Sequence, residues 1–169
     1  MIRGFLDFID ESYLDSSNAP LYHFTTTWSL DQILKSNELS IGYFDHKIGD
    51  KILKIVSLTR DKNLNIDNKE FELKISLDKN KLVNRYKLRP YDFFGAKYDR
   101  KKWEIDRVNP YESEEITECN IKDLNQYILY IDFFDVGFIY PYLKDIKTYL
   151  NKYNIECRIG EKIIDINEI

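Results

Sequence analysis

The seven residues Phe71-Glu72-Leu73-Lys74-Ile75-Ser76-Leu77 alternate strictly between apolar and polar types. A period of two belongs to a β-strand and to no helix, so the pattern predicts a strand with one buried face and one wet face. Tyr127–Phe134 is a nearly unbroken apolar run, the pattern of a central strand. Leu21–Thr26 and Ile52–Thr59 add further extended segments rich in β-branched and aromatic types. Ile116–Ile121 and the short pieces 155–159 and 162–166 also read as extended, whereas 79–103 shows no clear period. Helical spacing occurs in three places. Phe5, Phe8, Ile9 and Tyr13 share a face over residues 2–14. Leu30, Ile33 and Leu34 follow a capping-box spacing at Ser29 and Gln32, and Ile139, Leu143, Ile146 and Leu150 follow with Pro141 near the first turn.

Strands thus outnumber helices, and sequential strands lack regular intervening helices. That predicts an α+β fold with a mostly antiparallel sheet and flanking helices, not a doubly wound nucleotide fold. The chain of 169 residues carries no repeat, linker or low-complexity run, so a single domain over 1–169 is expected. Apolar residues at 43% suffice for a core, and the 6 Gly and 4 Pro are too few for a loop-dominated protein. No run approaches the roughly 20 apolar residues of a membrane span. The acidic opening segment reads as a helix and not as a secretory signal, so a cytoplasmic protein is expected. Cys119 and Cys157 lack metal or disulfide spacing and read as reduced, part-buried thiols.

Only two histidines exist. His46 lies in Tyr43-Phe44-Asp45-His46-Lys47, a polar, loop-like stretch, and reads as solvated. His23 lies inside a strand between Tyr22 and Phe24, where alone it would read as a hydrogen-bonded core histidine. It is followed by two other polar strand segments. Val56-Ser57-Leu58-Thr59-Arg60 ends in hydroxyls and a cation, and Tyr111-Glu112-Ser113-Glu114-Glu115-Ile116 sets three carboxylates at a strand entry. On a strand, Glu112 and Glu114 share a face and Glu115 takes the other.

This ordered set, a His-x-Thr strand running into a helix, a Ser-x-Thr strand and a Glu-x-Glu strand, resembles the ADP-ribosyltransferase fold. It is most similar to compact bacterial and phage members that grade into abortive-infection proteins and DarT-type toxins. The resemblance covers about residues 20–134, with an N-terminal helix and a C-terminal helix and strand extension outside it. It implies a split, mostly antiparallel sheet and NAD as the substrate. His23 would bond a ribose hydroxyl, the backbone at Phe24 would clasp the nicotinamide carboxamide, and Thr25 would support the turn. Ser57, with Thr59, would brace the catalytic glutamate, which falls on Glu114, with Glu112 as its upstream partner and Glu115 an alternative. Tyr43, Phe44, Tyr91, Phe93 and Phe94 are candidates to sandwich the nicotinamide. No metal is implied. The family often has an Arg two residues after the catalytic acid, where this chain has Ile116. The acceptor would be a protein or a nucleic acid, in a toxin or host-defence setting.

The net charge of −4 is unevenly spread. Lys79–Lys102 holds nine basic residues against Asp92 and Asp99, a net +7, leaving −11 for the remainder. Interleaved aromatics there match a single-strand nucleic-acid grip, although a solvated basic face over core aromatics is twice as favoured. Arg60 or Arg89 is alternatively placed to meet the NAD pyrophosphate. Besides an NAD-dependent transferase, the sequence admits a non-catalytic interaction module on the same fold, such as a phage inhibitor or a defence sensor. It also admits a nucleic-acid-binding protein using the 79–103 segment.

Overall fold

The computed structural model describes residues 19–48, 51–60, 62, 71–91 and 114–168. The helix expected over 2–14, Glu112, Phe93, Phe94 and the 92–102 part of the basic segment lie outside the described residues. In chain order the elements are β1 (Leu21–Thr25), α1 (Thr27–Ser36), β2 (Glu38–Leu39), β3 (Gly42–Ile48), β4 (Lys51–Thr59) and β5 (Leu73–Leu77). There follow α2 (Lys79–Val83), β6 (Arg89–Tyr91), β7 (Glu114–Thr117), β8 (Ile121–Lys122), β9 (Ile128–Phe133), α3 (Leu143–Tyr153), β10 (Glu156–Ile159) and β11 (Lys162–Ile164).

The fold is α+β. One sheet runs β11-β10-β9-β5-β1-β4-β7-β6, with β3 paired on β4, and a second small sheet joins β2 to β8. Every pairing is antiparallel except β9 with β10. That exception follows from α3, which carries the chain back along the sheet between the two strands. Leu30 and Leu34 of α1 and Ile146 and Leu150 of α3 bury against Leu21, Leu73, Ile75, Leu77, Ile131 and Phe133 in one continuous core. No helix among the described residues is long and apolar enough to cross a membrane.

Helix α1 is fixed at both ends by local chemistry. Thr26 is its extended N-cap, and its Oγ1 accepts from Ser29 N at 3.2 Å. Glu72, arriving from the lead-in to β5, accepts from Thr27 N at 2.7 Å, placing a carboxylate on the positive helix end. Asn37 closes the helix at φ 54°, a left-handed conformation that asparagine tolerates. The capping-box spacing at Ser29 therefore misplaces the start: Ser29 occupies the third helical position, and Thr26 is the cap.

Four other expectations are corrected. Residues Ile116–Ile121 are not one strand but parts of β7 and β8, which belong to different sheets. The helical pattern beginning at Ile139 becomes a helix only at Leu143. The chain before it makes short 3-10 turns at Val136–Phe138 and Tyr140–Tyr142, because Pro141 supplies no N–H and disfavours a helical Tyr140. The stretch around His46 is strand β3, with a bulge between Phe44 and Lys47. Finally, β5 has no wet face, since all five of its residues are buried. Of its two polar residues, Lys74 finds partners inside, its Nζ lying 3.3 Å from Asp132 Oδ2 and bonding the Lys62 carbonyl at 3.4 Å, whereas the Ser76 hydroxyl is buried with no hydrogen-bond partner among the described residues. Cys157 is buried, which pushes its thiol up to about 12, and Cys119 is exposed.

Candidate functional site

Strands β1, β4 and β7 lie side by side, although 34 residues separate His23 from Ser57. Register sets Tyr22 opposite Thr59, Thr59 opposite Glu114, and Glu114 opposite Tyr91. On the other side, Tyr22 faces Ser76, Ser76 faces Tyr130, and Tyr130 faces Glu156. A row of seven positions thus crosses the sheet without an aliphatic residue. Burial, and then a hydrogen bond with Tyr130, push the Tyr22 phenol well above its ordinary value. The Arg158 guanidinium stacks 3.6 Å from the centre of the Tyr130 ring.

The joint between β1 and β4 is unusual. β1 pairs with β5 over five residues but shares only the Tyr22–Thr59 pair with β4. A side chain makes the further link: His23 Nδ1 lies 3.1 Å from the Ser57 carbonyl oxygen. A carbonyl only accepts, so Nδ1 carries the proton and Nε2 of the neutral ring is left as an acceptor. Burial lowers the pKa of His23, and the bond to Ser57 only partly opposes that. The folded protein therefore binds this proton less readily than the unfolded chain does. The contribution of His23 to stability is constant above the ordinary histidine value of 6.5 and falls as pH drops below it. Urea midpoints measured from pH 8 to pH 5 are expected to decline below pH 6.5 for the wild type, and His23→Gln is expected to flatten that decline. An unchanged slope in the variant would assign the loss to other groups.

Phe24 is buried and packs against Phe71 and Phe134, with ring centroids 6.0 and 6.1 Å away. Its side chain is thus part of the core, and only its backbone could meet a ligand. Thr25 is buried, and its carbonyl accepts from Glu72 N at 3.0 Å. Glu114 sits in β7 opposite Thr59, whereas Glu115, one residue on, sits opposite Leu58 and is buried. Its Oε1 lies 3.1 Å from Arg60 Nε, a charge contact without hydrogen-bond alignment, and 3.0 Å from Lys79 Nζ. Of the two adjacent acids, Glu115 is held in an ion-paired cluster, and Arg60 and Lys79 are turned toward it.

In the described part of the basic segment, Lys81 and Arg85 stay exposed but are tied to the body of the protein. Lys81 bonds the Gln126 carbonyl and pairs with Asp78. Arg85 reaches Asp123 at 3.2 Å and Tyr127 at 3.1 Å, and Tyr86 exchanges hydrogen bonds with the backbone of Lys122. These contacts resemble a surface laid over core aromatics more than a stacking platform.

A groove of about 300 Å³ opens beside His23, between β1, α1 and β2. Its walls include His23, Thr25, Trp28, Ser29, Gln32 and Glu38. Trp28 stands 61% exposed at the rim, in the first turn of α1. Glu38 is held from behind: its Oε1 accepts from Asn120 Nδ2 at 2.7 Å and from Ser40 Oγ at 2.9 Å. Asn120 is fixed in turn by accepting from Ile41 N at 2.9 Å. Neither Trp28 nor Glu38 stands out in sequence. The signal for Trp28 is that it falls off the Leu30–Ile33–Leu34 stripe, where a large apolar residue has no core to enter. Glu38 has no local signal, because Asn120 comes from 82 residues away.

No family model and no curated protein matches this sequence.

Proposed function

We propose that the protein is an NAD-consuming ADP-ribosyltransferase with an ADP-ribosyltransferase-like sheet. It would act in the cytoplasm of a bacterial cell or an infected host cell, in phage–host conflict, on a protein or nucleic-acid acceptor. The observation that carries this is the adjacency of β1, β4 and β7, since the three motif strands are remote in sequence and neighbours in the sheet. Three features support it further. His23 is held as a neutral ring by Ser57, which suits an Nε2 that accepts from a ribose hydroxyl. Thr59, the second motif hydroxyl, stands in register with Glu114. The groove beside His23 is at the small end of ligand-pocket volumes, enough for one nucleoside half of a dinucleotide.

In this reading the bond between nicotinamide and ribose breaks with its electron pair leaving on the nicotinamide nitrogen. Positive charge grows on the ribose, as in glycoside cleavage. The Glu114 carboxylate polarises the ribose 2′-hydroxyl and stabilises that charge. An acceptor nucleophile then attacks the anomeric carbon and loses its proton to a general base, a role open to Glu112. Incubation with NAD labelled in the adenylate phosphate, in a bacterial lysate, is expected to leave label on a macromolecule and to release nicotinamide. Full recovery of intact NAD, with no labelled product, would remove the reading.

A further inference from the structure

Several polar protons in the walls of the groove beside His23 are already spent inside the protein. His23 gives its Nδ1 proton to the Ser57 carbonyl. Ser36 Oγ donates to the Gln32 carbonyl at 2.9 Å, and Ser40 Oγ donates to Glu38 Oε1 at 2.9 Å. Gln32 Nε2 donates to Asp31 Oδ2 at 3.0 Å. What these walls still present is weighted toward acceptors: His23 Nε2, Gln32 Oε1 and Oε2 of Glu38. Fewer donors remain. Ser29 Oγ accepts from Thr26 Oγ1 at 3.1 Å and so keeps its own proton, alongside the Thr25 hydroxyl and the Trp28 indole N–H.

The groove also has no net charge with which to draw an ion. Lys and Arg are absent from its described walls, and Glu38 stands opposite Lys122 in the β2–β8 pair, which offsets its charge. Burial keeps His23 neutral. A phosphate would therefore find no cation in these walls, and a guanidinium would find no uncompensated anion. What remains favoured is a neutral ligand that brings N–H donors. Its shape is set by Trp28, which stands 61% exposed at the rim and offers a ring face, and by a volume of about 300 Å³, room for one ring system.

We infer that the groove binds an uncharged, amino-substituted nitrogen heterocycle, the chemistry of a free nucleobase. Its ring stacks on Trp28, its amine donates to the acceptors of β1 and α1, and its ring nitrogen accepts from the remaining hydroxyl protons. The inference does not rest on the NAD reading, because none of its observations involves Glu114, which the register places in the alternate row of Tyr22 and Thr59.

The test is calorimetric titration of the full chain with adenine, cytosine, the dimethylamino analogue of each, adenosine, adenosine 5′-monophosphate and methylguanidine. Wild type is expected to bind the two bases at least about tenfold more tightly than their dimethylamino analogues, which keep the ring and lose the N–H donors. Adenosine and its 5′-monophosphate are expected to bind within about threefold of each other. Trp28→Ala is expected to weaken both bases at least about tenfold, and Trp28→Phe to restore most of the loss. Because Trp28 is exposed, both variants should melt as the wild type does. Failure of wild type to bind either base overturns the inference, and so does equal binding of the dimethylamino analogues. Tighter binding of the 5′-monophosphate by about tenfold, tighter binding of methylguanidine than of the bases, or unchanged affinity in Trp28→Ala also overturns it. If the bases bind as expected while NAD is never cleaved, the transferase reading falls and the groove assignment stands. If NAD is cleaved while neither base binds, the groove assignment falls and the transferase reading stands.

Discussion

Lys74→Ala is expected to lower the free energy of unfolding by about 3–5 kcal/mol, the effect of leaving one member of a buried ion pair without its partner. Lys74 and Asp132 are the side chains at risk, 4% and 1% exposed in the middle of the sheet. Their 3.3 Å contact is part of a wider arrangement. Asp132 Oδ1 also accepts from Glu161 N at 2.9 Å, and Glu161 holds a left-handed φ of 70° in the turn between β10 and β11. A glutamate in that conformation is strained, so the turn depends on Asp132 staying where Lys74 holds it. The outer contact of Lys74 with Glu161, at 3.6 Å, involves a largely exposed carboxylate and adds little. Replacing both members, as Lys74→Met with Asp132→Leu, is expected to recover only part of the loss, because an apolar pair needs no desolvation but Glu161 N loses its acceptor. Urea unfolding with an unchanged m-value reads both variants. A loss under about 1 kcal/mol in Lys74→Ala would mean that the Asp132 charge is satisfied without Lys74.

The same pair marks where the sequence stopped being readable. The period of two in Phe71–Leu77 identifies the strand, because alternation is a local property of the backbone. It cannot tell a wet polar face from one buried against a partner, and Asp132 lies 58 positions beyond Lys74, inside a run that otherwise looks apolar. The β4 and β9 strands and α3 were readable for the same reason as β5. The small strands β2, β6 and β8 were not, since two or three residues carry no period. At the candidate site, His23, Ser57, Thr59 and Glu114 were singled out from motif order; the sheet sets their strands side by side, and its register puts Glu114 in the Tyr22–Thr59 row, which alternates along β1 with His23. The groove was not visible. Its Glu38 depends on Asn120, and its Trp28 is informative only once the buried stripe of α1 is known. The fate of Arg60 was also hidden, because its partner Glu115 becomes a neighbour only through the β4–β7 register.

Adjacent acids on β7 are expected to fail in different ways, and this is the second large effect. Glu115→Gln leaves the part-buried Arg60 and Lys79 facing a neutral side chain, so its loss should appear in thermal stability. Glu114→Gln preserves size and strand register but removes the negative charge assigned to the ribose. Its loss should appear in turnover, by a factor of about 100 to 1,000, while NAD affinity stays within about threefold. A drop in affinity with unchanged turnover would instead make Glu114 a binding residue.

The central claim is that β1, β4 and β7 together form a site that cleaves NAD. The most direct measurement is the rate of nicotinamide release from NAD by purified wild type, set beside Glu114→Gln of equal thermal stability. The account predicts release well above the spontaneous rate for the wild type and near-background release for the variant. Equal release by both proteins, or none by the wild type at saturating NAD, contradicts it.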